Sequence, residues 1–204
     1  MLNLFLKHIK LILTWGVLVA VAVLVVTLFL PKYYSATSQV LIISRGSAGV
    51  DPYTQAKSAE RVGENLAQVV GTTDFYQKVM DSSFGFNKER WTKLSERDAR
   101  KQWKQDVGAT MVYNTGLMNL TVYSTSQADA LAFSGAVTEA MVSRGWEYVG
   151  GDVALKAVNS PLVSRLPARP NYILDIALGF LAGIAFASYW VWRAGRHTLF
   201  GRGI

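Results

Sequence analysis

The sequence has no cysteine, and among its 204 residues there are only two histidines and five prolines. Without cysteine there can be no disulfide framework and no thiolate metal site. Both histidines, His8 and His197, lie in the terminal segments, which excludes a Ser-His-Asp or Cys-His catalytic site in the central region. No P-loop or dinucleotide-binding motif is present. We therefore predict that the chain has no catalytic residues, no metal ligands and no cofactor.

Carboxylates are the remaining candidates for chemistry, and Glu60 with Glu64 is the most suggestive pair. Both stand beside Lys57 and Arg61 on a segment with helical periodicity. Alternating charges on an amphipathic helix are typical of a solvated face. We interpret this pair as surface charge and predict that the chain is not an enzyme.

Long uncharged runs occur twice, near the two ends of the chain. Residues 11–30 contain no charged side chain, and twenty helical residues span about 30 Å, the thickness of a hydrocarbon core. A cleaved signal peptide would have a shorter apolar region and a small-x-small cleavage site, so we predict an uncleaved anchor. The second run, residues 172–192, has Asp175 as its only charged residue, in the first turn, where the helix dipole favours a carboxylate.

Basic residues flank both runs on the sides nearest the chain ends: Lys7 and Lys10 in one tail, and Arg193, Arg196 and Arg202 in the other. Short cationic flanks stay in the cytoplasm, whereas a long intervening loop crosses the membrane. We interpret the net charge of +7 as a sign of topology and of contact with anionic lipid, and we predict no nucleic-acid partner. The prediction is a two-pass protein of the plasma (inner) membrane. Its parts are a cytoplasmic tail at 1–10, a transmembrane helix at 11–30, an extracytoplasmic domain at 31–170, a second transmembrane helix at 171–192 and a cytoplasmic tail at 193–204.

Small residues form a stripe on the second apolar run, at Gly179, Gly183 and Ala187. Gly16 and Ala20 are a shorter counterpart on the first run. Small side chains at this spacing let two backbones approach closely in lipid. We predict a helix-packing face, either within one chain or between copies.

The central region is predicted to be an α+β domain. Strand-like runs at 107–113 and 117–124 surround Asn114-Thr115-Gly116, which indicates a hairpin. Asp51-Pro52, Ser95 and Ser126 resemble helix starts. We also predict that the first strand, 35–44, and the last, 153–158, lie in one sheet. The predicted helices run from 51 to about 71, 74–81, from 95 onward, and 126–148.

Residues 88–104 carry seven Lys/Arg against three Asp/Glu, together with two tryptophans. One interpretation is an exposed helix with solvated charges. The other is a contact surface for anionic lipid headgroups, a lipid-linked phosphate or an acidic polymer, with Lys101, Lys104 and Trp103 as its candidate residues.

Two segments and the terminal helices resemble the Wzz-type polysaccharide co-polymerases, the chain length determinant family. The architecture agrees over nearly the full chain, and the motif-level likeness lies in residues 33–70 and 160–187. It is carried by Tyr34-Ser35-Ala36, by Tyr53-Thr54-Gln55-Ala56-Lys57-Ser58-Ala59-Glu60-Arg61-Val62, and by Leu166-Pro167-Ala168-Arg169-Pro170-Asn171 followed by Gly179 and Gly183.

This resemblance implies a non-catalytic scaffold that regulates chain length or polymerisation of capsule, exopolysaccharide or O-antigen. It implies a homo-oligomeric ring in the plasma membrane beside a polysaccharide polymerase and, in some members, a separate cytoplasmic tyrosine kinase. The small central domain resembles the compact, kinase-partnered branch, and we expect no fused kinase domain. The proline-rich stretch departs from the family pattern, since it has only Pro161, Pro167 and Pro170, and this bears on the identity of the partner. An accessory subunit of a secretion or transport complex, or an extracytoplasmic sensor, are the alternatives.

Overall fold

The computed structural model describes residues 8–44, 51–149 and 153–200. The chain divides into two compact units. We call residues 1–32 with 169–204 the helical unit and Tyr33–Ala168 the αβ unit. Lys7 and Arg202, two of the cations from which orientation is predicted, lie outside the described residues.

The helical unit contains two helices, α1 (Ile9–Leu28) and α7 (Tyr172–Phe200). Both are long and apolar enough to cross a membrane, over Ile9–Leu28 and Tyr172–Arg193. Helix α1 ends two residues earlier than predicted because Pro31 disfavours helical geometry in the residue before it. The last turn tightens instead, with the Phe29 and Leu30 amides donating three residues back, at 3.1 and 3.2 Å.

The αβ unit is built on one antiparallel sheet with strand order β2-β3-β1-β4. The predicted α+β class and the predicted hairpin are both confirmed. The strands are β1 (Tyr34–Ser44), β2 (Val107–Met111), β3 (Leu117–Ser124) and β4 (Val153–Val163). The helices are α2 (Pro52–Val69), α3 (Thr73–Met80), α4 (Glu89–Thr92), α5 (Glu96–Asp106) and α6 (Gln127–Arg144), and a 3-10 turn follows at Gly145–Tyr148.

Helix starts in the αβ unit follow the polar residues that precede them. Asp51, Ser95 and Ser126 each accept hydrogen bonds from backbone amides of the following first turn, as predicted. Thr72 does the same for α3 by accepting from the Phe75 amide. These local bonds satisfy amides that have no partner within the helix, so the starts are encoded in short stretches of sequence.

The first and last strands of the αβ unit are neighbours, as predicted. β1 pairs with β4 from Ala36 opposite Val163 to Ser44 opposite Val153. Beyond the strands, the Ala168 amide donates to the Tyr33 carbonyl at 2.7 Å. The first and last residues of the αβ unit therefore lie next to each other.

One face of the sheet forms the core with α2 and α6. Alternate residues of β1 and β3 are fully buried on this face, among them Val40, Ile42 and Leu120. Beside them lies an aromatic cluster of Trp91, Trp103 and Phe133, with ring centroids 5.1–5.8 Å apart. Such edge-to-face and tilted contacts add to the free energy of burying the rings themselves.

A charged clamp joins α3 to the 3-10 turn. The Lys78 ammonium lies 3.1 Å from Asp74 and 4.3 Å from the ring centroid of Tyr148, and it is also paired with Glu147. The Tyr148 hydroxyl donates to Asp74. Glu147 raises the pKa of Lys78 above its ordinary value of 10.5, and the Tyr148 hydroxyl lowers the pKa of Asp74 below 3.8.

The clamp predicts a defined pH dependence for the substitution Lys78→Met. A raised lysine pKa stabilises the fold below the unfolded value of 10.5, and this stabilisation is lost as pH rises through the folded pKa. Lys78 also contributes to the lowered pKa of Asp74, after the Tyr148 hydroxyl, and this contribution stabilises the fold above 3.8 and is lost as pH falls through the folded pKa. The destabilisation by Lys78→Met should therefore be constant from about pH 5 to about pH 10 and shrink outside that window. Thermal unfolding of both proteins across pH measures it, and a difference that does not shrink at acidic pH would contradict the role of Asp74.

Candidate functional site

The small-residue stripe of α7 packs against α1 of the same chain. A β-carbon on Gly183 would lie 2.7 Å from the carbonyl oxygen of Trp15 and 2.8 Å from the α-carbon of Gly16. A β-carbon on Gly179 would lie 2.9 Å from Cγ2 of Val23. The two backbones are thus close enough to require glycine at Gly183. We call this contact the helix seam.

Ala187 continues the helix seam toward the chain ends. It is only 1% exposed and forms a small buried cluster with Ile12 and Val191. Ala20 on α1 is also buried. In the structure the stripe therefore packs against α1 of the same chain.

The segment 88–104 does not present its tryptophans to solvent. Trp91 and Trp103 are each 1% exposed, and Trp103 donates from Nε1 to the Val70 carbonyl at 2.8 Å. The prediction that Trp103 belongs to a contact surface is therefore wrong. The ring lies on the inner side of α5, where it is in edge contact with Tyr76 at 5.1 Å. Its spacing of four residues from buried Ala99 was the available signal for an inward face.

Four of the seven cations in this segment have structural partners. Lys88 donates to the carbonyls of Met80 and Ser82 at 2.6 and 2.8 Å. Arg90 forms a buried ion pair with Asp106 at 3.0 Å. The other two form exposed pairs with acids one turn away, Lys93 with Glu89 and Arg100 with Glu96.

The remaining three cations, Arg97, Lys101 and Lys104, are exposed and form no ion pair within the part of the chain that the structure describes. They follow one another at intervals of four and three residues, so they share one side of α5. Together with Glu96 and Arg100 they line an open groove. We call this surface the basic face.

The basic face is attached to the core although its charged side chains are exposed. Trp103 anchors the opposite side of α5 in the core, and the methylenes of Lys104 lie over Gly71. A lysine that packs its stem and exposes its ammonium keeps its charge in water at small entropic cost. Three cations on a fixed helix can contact several anionic groups of one ligand at once.

Reversing the two lysine charges, with Lys101→Glu and Lys104→Glu together, should change binding without changing the fold. Because both side chains are exposed, the free energy of unfolding should stay within about 0.5 kcal/mol of the parent value. Binding of a soluble acidic polymer (heparin) to the full chain in nanodiscs of neutral lipid, measured at low and at high salt, should weaken and lose most of its salt dependence. A control is Lys93→Glu, since Lys93 is exposed and follows α4 rather than lying on α5. Unchanged binding of the double variant would leave only the interpretation of solvated charges.

Glu60 differs from its prediction as a solvated group, because it is only 4% exposed. Its carboxylate accepts from the Lys57 ammonium at 2.8 Å and from the Asn114 amide at 3.4 Å. The hydrogen bond with Lys57 lowers the pKa of Glu60. Glu64, by contrast, is exposed. These contacts assign Glu60 to holding the β2–β3 turn, which the sequence could not indicate because Asn114 is 54 residues away.

Groups of three or more His, Cys, Asp or Glu side chains arranged to hold a metal ion do not occur among the described residues. The absence of catalytic, metal and cofactor sites stays a prediction from the sequence. Neither a comparison with protein-family models nor a comparison with curated proteins finds a match for this chain.

Proposed function

We propose that this chain is a non-catalytic, oligomeric membrane scaffold that regulates chain length or polymerisation of a surface polysaccharide, as the resemblance to Wzz-type co-polymerases implies. The observation that carries the proposal is the joined start and end of the αβ unit, where the Ala168 amide donates to the Tyr33 carbonyl. An extracytoplasmic domain inserted between two membrane helices has to return its chain to the place where it left. The pairing of β1 with β4 meets that requirement.

The two apolar helices support placement in the plasma membrane. The helix seam consists of small residues, which allow close van der Waals packing of two helices. In lipid this packing drives helix association, because the hydrophobic effect does not favour contact between helices there. The predicted tails carry five Lys/Arg and no Asp/Glu, which favours cytoplasmic termini and an extracytoplasmic αβ unit.

The mechanism we propose is geometric. Anchors at both ends hold each protomer upright, and lateral contacts between αβ units close a ring, since head-to-tail contacts with the right rotation generate closed rings. The ring would position polysaccharide polymerases beside the growing chain. A separate cytoplasmic tyrosine kinase is a further candidate partner. The basic face would contact a lipid-linked phosphate or an acidic polymer.

The decisive experiment compares the length distribution of surface polysaccharide in a strain that lacks the gene and in the same strain with the gene restored. Deletion should broaden or shift the distribution, and the restored copy should return it. A strain whose polymer is unchanged but whose protein export fails would favour the alternative, an accessory subunit of a secretion complex. Unchanged polymer and unchanged export would overturn both.

A further inference from the structure

Two tyrosines of the αβ unit expose most of their rings to solvent beside one lysine. Tyr53, in the first turn of α2, is 74% exposed, and Tyr113, in the turn between β2 and β3, is 77% exposed. Lys57 follows Tyr53 by one helical turn, and its ammonium lies 5.8 Å from the ring centroid of Tyr113. Single exposed aromatic residues are common. Tyr113, from a distant part of the chain, thus borders the ammonium of Lys57, and Lys57 lies one helical turn after Tyr53.

The positions of these groups are determined by the buried carboxylate of Glu60. One oxygen accepts from Lys57 at 2.8 Å, and the other accepts from the Asn114 amide at 3.4 Å. Asn114 has a φ of 56°, a left-handed conformation that asparagine tolerates better than most residues. The turn is closed by the Thr115 hydroxyl, which donates to the Val112 carbonyl at 2.8 Å. Tyr113 is therefore presented on a turn that is attached to α2.

Lys57 also lines a groove along α2 that is rich in both donors and acceptors. It carries two cations and two carboxylates, so its charge is nearly balanced, in contrast to the basic face. The groove there is lined by Thr54, Lys57, Ser58, Glu60, Arg61 and Glu64. A balanced set of this kind suits a ligand whose own groups both donate and accept, and hydroxyl groups do so.

We propose that Tyr53, Lys57 and Tyr113 form a binding site for a sugar residue of a polysaccharide. The apolar C–H face of a pyranose packs on a tyrosine ring, and its hydroxyls exchange hydrogen bonds with Lys57 and the hydroxyl and carboxylate groups around it. Because the turn and α2 are already joined through Glu60, little order has to be gained on binding. The site rests on the proposed function, since that function brings a growing polysaccharide to this chain.

The test uses the full-length protein in lipid nanodiscs. The probe is a set of short oligosaccharides released by partial acid hydrolysis from the surface polysaccharide of the encoding strain. Saturation-transfer NMR detects weak binding directly. Tyr53→Ala and Tyr113→Ala should each weaken binding about fivefold to tenfold, the loss of one aromatic contact. Tyr53→Phe and Tyr113→Phe keep the rings and should stay within about twofold of the parent, because a single exposed hydroxyl contributes little.

Trp146→Ala is the matched control, because Trp146 is also exposed, at 58%, but lies on the 3-10 turn rather than beside Lys57. Circular dichroism of each variant checks that it keeps its fold. The site is overturned if the parent protein binds no oligosaccharide, if both alanine variants bind like the parent, or if Trp146→Ala loses as much binding. Altered polymer length in the deletion strain would leave the proposed function standing in those cases. Oligosaccharide binding with unchanged polymer length would remove the proposed function and keep the site.

Discussion

Replacing Gly183 by leucine should destabilise the helical unit by about 3 kcal/mol, toward the upper end of the usual cost of overpacking. The atoms that a new side chain would meet are the Trp15 carbonyl oxygen and the Gly16 α-carbon, at 2.7 and 2.8 Å from the position of a β-carbon. Both belong to a helix backbone, so neither can rotate away and α1 itself has to move. Thermal unfolding in detergent micelles, followed by circular dichroism, measures the loss.

Two comparisons make this prediction specific. Gly179→Ala should cost less than Gly183→Ala, because its closest neighbour is a side-chain methyl of Val23. Ala185→Leu makes a similar change on the exposed side of α7 and should leave stability nearly unchanged. A Gly183→Leu protein as stable as Ala185→Leu would show that the helix seam does not hold the two helices together. Under the proposed function, polymer length should change with Gly183→Leu and not with Ala185→Leu.

Truncating Trp103 to alanine should destabilise the αβ unit by about 4 kcal/mol, within the range for removing a large aromatic side chain from a core. The change empties the centre of the aromatic cluster with Trp91 and Phe133. It also removes the donor to the buried Val70 carbonyl. Since a domain is stable by only about 5–15 kcal/mol, the αβ unit would approach its unfolding threshold at growth temperature.

Trp103→Phe separates the two contributions, because it keeps a ring in the cluster and removes only the indole N–H and some volume. It should cost less than Trp103→Ala. Trp146→Ala is again the control and should change stability by no more than about 0.5 kcal/mol, as expected for an exposed position. Chemical unfolding of the full chain, followed by tryptophan fluorescence, gives the three values. If Trp103→Ala unfolded like Trp146→Ala, the assignment of Trp103 to the core would be contradicted.

Local signals account for most of what could be predicted of the fold. Helix starts at Asp51, Ser95 and Ser126 depend on hydrogen bonds within one turn, and the β2–β3 hairpin depends on the turn at Asn114. The positions of the first and last strands next to the two apolar runs predict that these strands are adjacent. All of these features are encoded by residues close together in sequence or by simple connectivity.

The charged segment 88–104 is harder to predict than the fold. A sequence shows which side chains are charged, but it does not show which ion-pair or hydrogen-bond partners they have. Of the cations in residues 88–104, Arg90 forms an ion pair with Asp106, and Lys88 donates hydrogen bonds to two backbone carbonyls. The charges around Trp103 indicate a surface position, whereas its spacing of four residues from buried Ala99 places it on the inward side of α5. Lys101 and Lys104 are exposed as the contact-surface interpretation requires, but their ligand stays a prediction.

By itself the sequence determined the two long apolar helices, the α+β class of the region between them and the lack of thiol chemistry, because composition and short-range periodicity suffice for these. Only the tertiary structure decided that the small-residue stripe packs within the chain, that Glu60 is buried beneath a turn, and which cations are free. Those outcomes depend on contacts between residues far apart in sequence. The packing of the whole unit determines which distant residues come into contact, so the local sequence around one residue does not reveal the residue that it contacts.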